Sequence, residues 1–547
     1  VYDEHEYGDV ILPFILLRRL DCVLEPVKDD MVSLYQKWYK KTDSLDNIIF
    51  GKIGHQFYNK SKYDIKRLSQ DSKHIHKNFK NYRNGFSNNI SEILKFFEID
   101  KYVDTLHEEK RFFQFIKGFS SFDLHPNVVD NRTMGLIYEE LIRISSEKSN
   151  KSSGDHFTPR DVVNLLVSLV ISGIEDDLKG KGKVKSIYDP CCGTGGMLTI
   201  SKEYIQSNIN PDISLRLVGQ ELKRKYYSIC KSDMIMMDED SDLIKQGSTL
   251  SKDYFENEKF DIMITNPPFG EDWKSDQVDV RKEYQLPNGR FKGGLPKIDD
   301  GSLLFLQHLI SKMEKSGSRI GIVFNGSPLF VGDSGSGTNK IRRWIIENDL
   351  LECVIQLPDQ LFFRTGIVTY LWILSNNKKE HRKGKIQLLD CSGFYQPMVE
   401  SLNKKRKYIP TSKIKEIVKL YLGFKKNKFS KIYSNESFGY TRVVVEQPLV
   451  KEGEIVTDSR GNPKPDTRLR NYERVPLKED INSFFDSEIK PHLPKSWLDR
   501  RKDEIGFEIN FIFPFFKEKE TLNIRKLKEN LNETISKTED VINYITK

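Results

Sequence analysis

The sequence predicts an α/β protein: a doubly wound, mostly parallel sheet, preceded by a helical N-terminal domain and followed by a mixed region ending in a helical tail. Three observations carry this expectation. Between about 155 and 395, short β-rich apolar runs alternate with helical stretches, the pattern of a sheet built from strand–helix–strand units. Before residue 150 the apolar residues recur at helical spacing, with few strand signals. The chain has 547 residues, more than the ~250–300 that a single core supports. Domains are expected at 1–150, 151–395 and 396–547.

Taken in order, Leu16, Leu17, Leu20 and Val23 form an apolar stripe near the start. Met134, Ile137, Leu141 and Ile142 form another, behind the cap-like Asp130 and Asn131. The polar run 146–154 reads as a hinge. Strands are expected at 184–188, 215–219, 260–265, 319–324, 351–356, 368–374 and 386–389. Helices at 162–174, 198–206, 223–237 and 303–313 separate the first several. The stretches 271–298 and 326–339, rich in Gly, Asp and Lys, read as mobile loops on the rim where such sheets bind ligands. At the far end, Ile524, Leu527, Leu531, Val541 and Ile545 fall on a seam of coiled-coil spacing, weakened by Thr534 and Thr538. That helix is either solvated or paired with a partner.

Composition narrows the class. With 37% hydrophobic and 30% charged residues the chain reads as soluble and globular. Its net charge of +8 suits a polyanionic partner without identifying one. The apolar run 10–17 is short and meets Arg18 and Arg19 at once, so a core helix is expected there, not a membrane span or signal peptide. Six cysteines without disulfide or zinc spacing point to a reducing, cytoplasmic compartment. The adjacent Cys191 and Cys192 read as small residues packed in a turn. His74 and His76 read as surface histidines, and no metal is expected. The Gly-rich run 332–340 lacks the Gly-Lys-Ser/Thr of a phosphate loop and reads as a flexible loop. The Lys-rich 403–407 is a solvated face or a phosphate contact.

The chemistry sits at the strand tips. The first strand ends in Asp-Pro-Cys-Cys-Gly-Thr-Gly-Gly-Met, 189–197, where the glycines let backbone approach a ligand and a helix N-terminus follows. The second ends at Glu221, placed to accept hydrogen bonds from two ribose hydroxyls. A later strand ends in Asn-Pro-Pro-Phe, 266–269. Its prolines stiffen the exit and fix Asn266 at the rim. The Asn266 side-chain oxygen and the Pro267 carbonyl are a pair of acceptors for an exocyclic amino group, and Phe269 offers a stacking face. Acceptors and an aromatic facing a ribose-bearing cofactor are what methylation of an amine from S-adenosylmethionine needs.

These blocks, with Gly-Asp-His-Phe-Thr-Pro-Arg at 154–160, Gly-Gln-Glu-Leu at 219–222, Asn-Gly-Ser-Pro-Leu-Phe at 325–330, Leu-Pro-Asp-Gln-Leu-Phe at 357–362 and Asp-Thr-Arg-Leu-Arg at 466–470, occur in one order along nearly the whole chain. In that order the sequence resembles the modification (methyltransferase) subunits of type I restriction–modification systems, which methylate adenine N6 in DNA. The resemblance implies a Rossmann-like S-adenosylmethionine-dependent methyltransferase sheet. It implies a cofactor pocket walled by Asp155, His156, Phe157, Thr158, Pro159 and Arg160. Thr194, Gly195 and Gly196 would cradle the methionine end near Asp189, and Glu221 would hold the ribose. Asn266, Pro267, Pro268 and Phe269 would hold a flipped adenine. The family often carries an Asp at the third strand tip, where this chain has Ser248. Implied partners are double-stranded DNA, a DNA specificity subunit, a second modification subunit and a restriction subunit, with no membrane. Methylation of an RNA base or a protein glutamine, a non-catalytic scaffold, and a self-sufficient restriction–modification enzyme are the alternatives. Against the last, the chain has no Pro-Asp…Glu-x-Lys nuclease pattern and no helicase motifs.

Overall fold

Apolar runs between 184 and 434 pair into one nine-stranded sheet. In chain order its strands are β1 (Val184–Asp189), β2 (Ser214–Glu221), β3 (Ile244–Gln246), β4 (Ile262–Thr265), β5 (Arg319–Phe324), β6 (Leu351–Gln356), β7 (Tyr370–Ser375) and β8 (Lys385–Asp390). A two-stranded hairpin of β9 (Gln396–Leu402) and β10 (Lys405–Tyr408) intervenes before β11 (Ser430–Ser434) completes the large sheet. The spatial order is β11-β8-β6-β7-β5-β4-β1-β2-β3. The computed structural model on which this description rests covers residues 2, 6–148, 158–363, 365–516 and positions 528, 531, 532, 534, 535 and 538.

All neighbours in this sheet are parallel except at β7, antiparallel to both β5 and β6, and at β11, antiparallel to β8. A parallel return needs a helical crossover. The link from β6 to β7 has no helix among its described residues, so β7 comes back antiparallel. From β1 the chain winds outward through β2 and β3, then returns to β4 and β5 on the other side. The order therefore switches between β1 and β4, where a crevice opens at the strands' carboxyl ends.

Alternation along β1 separates the two faces. Ile187 joins the cluster formed with helices Arg160–Ser172 and Gly196–Asn208. The next residue, Tyr188, turns the other way, stacks on Phe260 at 4.3 Å and bonds His308 at 2.9 Å. Helix Arg224–Met236 is apolar on two sides. Tyr227, Cys230 and Met234 face the sheet core, while Tyr226, Ile229 and Ile235 enter the core of the N-terminal helices. Those helices run from Tyr7–Leu24 to Asn131–Lys148 and bury Leu16, Leu17, Leu20 and Val23 as well as Met134 and Ile142.

The segment 271–298 is more ordered than its composition suggests. It carries helix Gln277–Tyr284, and Trp273, Val280 and Phe291 pack with Leu250, Leu304 and Phe305 in a separate small core. The run 332–340 is likewise held: Arg342, behind it, is buried and donates to the carbonyls of Phe507 and Pro328. Past the sheet, β12 (Gly439–Glu446) pairs with Asn471–Pro476, Trp497–Leu498 and Glu504–Phe507. β11 lies beyond residue 395, where the sheet domain was expected to end. The chain divides into two compact units, Val1–Ile509 and Asn510–Lys547. In the second, Leu531 is helical and exposed, whereas Ile524, Leu527, Val541 and Ile545 lie outside the described residues. Among the described residues no helix is long and apolar enough to cross a membrane.

Candidate active site

The carboxyl ends of β1, β2 and β4 border a cavity of 430 Å3, within the size range of small-molecule sites. Between β1 and helix Gly196–Asn208 the chain must turn in a few residues. It does so with φ of +56° at Gly193 and +87° at Gly195, where a side chain would be strained. A Cβ at Gly195 would also lie 2.8 Å from Cys230 Sγ. Gly195 supports the turn from below, while Thr194 and Gly196 line the cavity.

Asp189 ends β1 and is almost fully buried. Its Oδ1 accepts from the Cys191 N–H at 3.0 Å and from the Thr265 hydroxyl at 2.6 Å. Burial pushes its carboxyl up to about 7, against the pull of those two bonds. The Thr265 bond fastens the tip of β1 to the tip of β4, one residue before Asn266. Glu221 ends β2 and accepts from the N–H groups of Gly193 at 2.9 Å and Lys223 at 2.7 Å. Its carboxyl is pushed up by burial and held down in part by these bonds. At the third tip, Ser248 lines the cavity. Its loop is tied down by Gln220 Nε2 to the Lys252 carbonyl at 2.8 Å and by the Thr249 hydroxyl to the Pro190 carbonyl at 2.5 Å.

Asn266 stands at the exit of β4. Its Nδ2 donates to Thr158 Oγ1 at 2.8 Å, and its Oδ1 is buried with no hydrogen-bond partner in the protein. A buried acceptor left unpaired costs ~1–3 kcal/mol. Pro268 lines the cavity and Pro267 is buried. Phe269, expected as a stacking face, is 7% exposed and lies in the sheet's hydrophobic cluster, not among the cavity-lining residues. Thr158 and Arg160 line the cavity, and Pro159 is buried as the N-cap of helix Arg160–Ser172. Asp155, His156 and Phe157 lie outside the described residues.

The lining includes residues that the sequence reading passed over. Glu139 comes from helix Asn131–Lys148, and both its carboxylate oxygens accept from Arg160 Nε at 3.2 Å. Tyr226, Trp273 and Phe305 add aromatic surface. Trp273 could have been noticed as a lone aromatic in a polar stretch, but Glu139 has no local signal at all. Of the minor features, Cys191 does more than fill a turn: it lines the cavity and its Sγ lies 2.8 Å from Thr265 Oγ1. Lys405 and Lys407, in the Lys-rich run, are held by Asp161 and Asp359.

Residues 129–445, more than half of the chain, match the N-6 DNA Methylase family, and residues 1–119 match the HsdM N-terminal domain. The type I restriction enzyme MjaIX methylase subunit of Methanocaldococcus jannaschii is 25% identical over 481 residues, covering 83% of this chain and 80% of that protein. The HindI methylase subunit of Haemophilus influenzae is 28% identical over 263 residues, 47% of this chain and 54% of that protein. Against the MjaVII methylase subunit, too, the chain spans about half, 53%, of the relative's length. The fold is that of the type I restriction–modification methyltransferase subunit from Streptococcus thermophilus, with a TM-score of 0.64 at 21% identity over 80% of this chain and 93% of that one. With the strand-tip geometry and the family match covering the same stretch, the chain belongs to the N-6 DNA methylase family.

Proposed function

We propose that this protein transfers a methyl group from S-adenosylmethionine to N6 of an adenine rotated out of duplex DNA, as the methylase subunit of a type I restriction–modification assembly. The unpartnered Oδ1 of Asn266 carries the reading. An exocyclic amine brings two N–H donors, and a buried, immobilised acceptor takes one of them. The Pro267 carbonyl takes the other. Both bonds draw electron density onto the amine nitrogen and hold its lone pair toward the methyl group. Thr158 Oγ1 accepts from Nδ2, so in this arrangement Oδ1 is the amide atom left for the amine.

The cavity residues fit the cofactor. Glu221 meets a ribose with its carboxylate, and the glycine turn allows close approach of backbone. When bound, S-adenosylmethionine supplies an electrophilic methyl group. The adenine amine forms the new C–N bond as the old C–S bond breaks, and then sheds one proton to solvent. No covalent bond to the protein is needed. Pro268 and its neighbours shape the base pocket, and burial of Phe269 stiffens the strand exit from behind. DNA specificity, restriction and second methylase subunits are the partners this reading assigns.

The test is methyl transfer from labelled S-adenosylmethionine to unmethylated duplex DNA, with the chain alone and with its cognate specificity subunit. N6-methyladenine formed only with the partner is the expected result. Label with the chain alone indicates a self-sufficient enzyme. Cofactor binding without label on DNA moves the substrate to an RNA base or a protein side chain.

A further inference from the structure

The cavity continues past the glycine turn. A second hollow of 390 Å3 lies behind it, toward helix Asn131–Lys148, and shares Glu139, Arg160, Thr194, Gly196 and Ile200 with the first. Glu139 and Arg160 stand at the junction, each the other's ion-pair partner. Glu139 Oε1 comes 3.8 Å from the point a Cβ on Gly196 would occupy, so it faces the first turn of helix Gly196–Asn208. Gly135, one turn before Glu139, makes room for Arg160: a Cβ there would lie 2.4 Å from Arg160 Nη2. A carboxylate and a guanidinium side by side at the end of a nucleoside-sized cavity match one chemical group. An α-amino acid carries an ammonium and a carboxylate on a single carbon.

We propose that Glu139 and Arg160 grip the amino-acid end of the cofactor, Glu139 taking the ammonium and Arg160 the carboxylate. The assignment rests on the S-adenosylmethionine reading above. Each side chain exchanges part of its bond to the other for a charge-assisted bond to the ligand. Asp189 is the competing acceptor for the ammonium, but its Oδ1 already takes two hydrogen bonds that hold the strand tips together. Glu139 has no other ion pair among the described residues. The consequence is that the helical N-terminal region supplies part of the cofactor site.

The test removes the residue and the ligand group in turn. S-adenosylhomocysteine and its counterpart lacking the α-amino group are titrated calorimetrically into the full-length wild type and into Glu139→Gln. The wild type is expected to prefer the amino form by about tenfold or more. In Glu139→Gln that preference is expected to fall to about twofold or less. An equal preference in both proteins overturns the assignment, even where the variant binds both ligands more weakly, because that pattern marks a merely structural residue. A wild type that binds neither ligand overturns the cofactor reading itself. Should Glu139→Gln fail to fold, judged by its unfolding midpoint, Glu139→Asp takes its place. That variant holds the carboxylate one methylene short and is expected to reduce the preference several-fold, and an undiminished preference again overturns the assignment.

Discussion

In the proposed reading Asn266 presents its oxygen to the amine, while its Nδ2 is engaged by the Thr158 hydroxyl. Replacing Asn266 with Ala is expected to lower kcat about a hundredfold or more, the range seen when a single transition-state contact is removed. Cofactor affinity, read by calorimetry, should stay within about twofold, and an equal loss of both would remove Asn266 from the chemistry. Glu221→Ala should do the reverse. It takes away the proposed ribose acceptor and frees the Gly193 N–H, so the cofactor Kd is expected to rise about tenfold or more, and an unchanged Kd would place the ribose elsewhere. Glu221 is the last residue of β2 and Asn266 the first past β4, so strand position alone put both at the cavity. Phe269 was not legible in this way. Four residues past the end of β4, its direction is decided by which neighbours offer apolar surface, and the sheet cluster takes it. Glu139 was hidden for the same reason from the other side: its place beside Gly196 depends on how a helix from another region docks.

At the scale of elements, the segment 271–298 turns on Arg290. Its guanidinium meets both Glu283 oxygens, the carbonyls of Thr249 and Leu250, and His308 Nδ1 at 3.0 Å. Since Arg290 only donates, Nδ1 must accept, so the proton of His308 sits on Nε2 and is given to the Tyr188 hydroxyl. Burial, then the nearby Arg290 and Lys312 charges, hold His308 well below its ordinary pKa, in the neutral form this chain of bonds requires. Arg290→Met is expected to leave Glu283 partly buried without its partner, costing about 3 kcal/mol. Amide exchange over 271–298 should rise before that of β1 or β5 does. Uniform exchange would mean that the segment is held by Trp273 and Phe291 alone. A composition of Gly, Asp and Lys read as a loop because Trp273, Val280 and Phe291 are too far apart to show a period. The strand β3, only three residues long, showed no apolar run of its own and was signalled only by the third strand tip that the resemblance implied before Ser248, and the reversal of β7 left no trace in a run as apolar as β5 and β6 beside it.

Across the whole molecule, stability depends on pH through carboxyls that the fold buries. Asp21, Asp189 and Asp233 are all pushed by burial from 3.8 up to about 7. The folded state therefore holds protons that the unfolded chain releases between about pH 4 and 7. These three groups make stability fall as pH rises through that window and level off above it. His308 works the other way, since its depressed pKa favours the folded form increasingly up to pH near 6.5. Asp233→Asn separates the two effects. Its unfolding midpoint, measured against the wild type, should gain progressively between about pH 4 and 7 and level off above, and a constant difference would show that Asp233 ionises freely in the folded protein. The large-scale order of helices, then an alternating sheet, then a mixed tail was readable because each has its own apolar period. The closing of the sheet was not, since nothing local marks 430–434 as belonging to strands that end forty residues earlier.

That closing has a practical side. β11 covers the outer edge of β8 along its length, from the pair Ser430 and Leu389 to Ser434 and Lys385, and Gln387 Nε2 reaches the Ser430 hydroxyl at 3.1 Å. A fragment trimmed at 395 would bare that edge and its unpaired N–H and C=O groups, a template for strand addition between copies. Transplanting the methylating sheet into another scaffold thus calls for a piece that runs through Ser434, and shorter pieces should be recovered as aggregates.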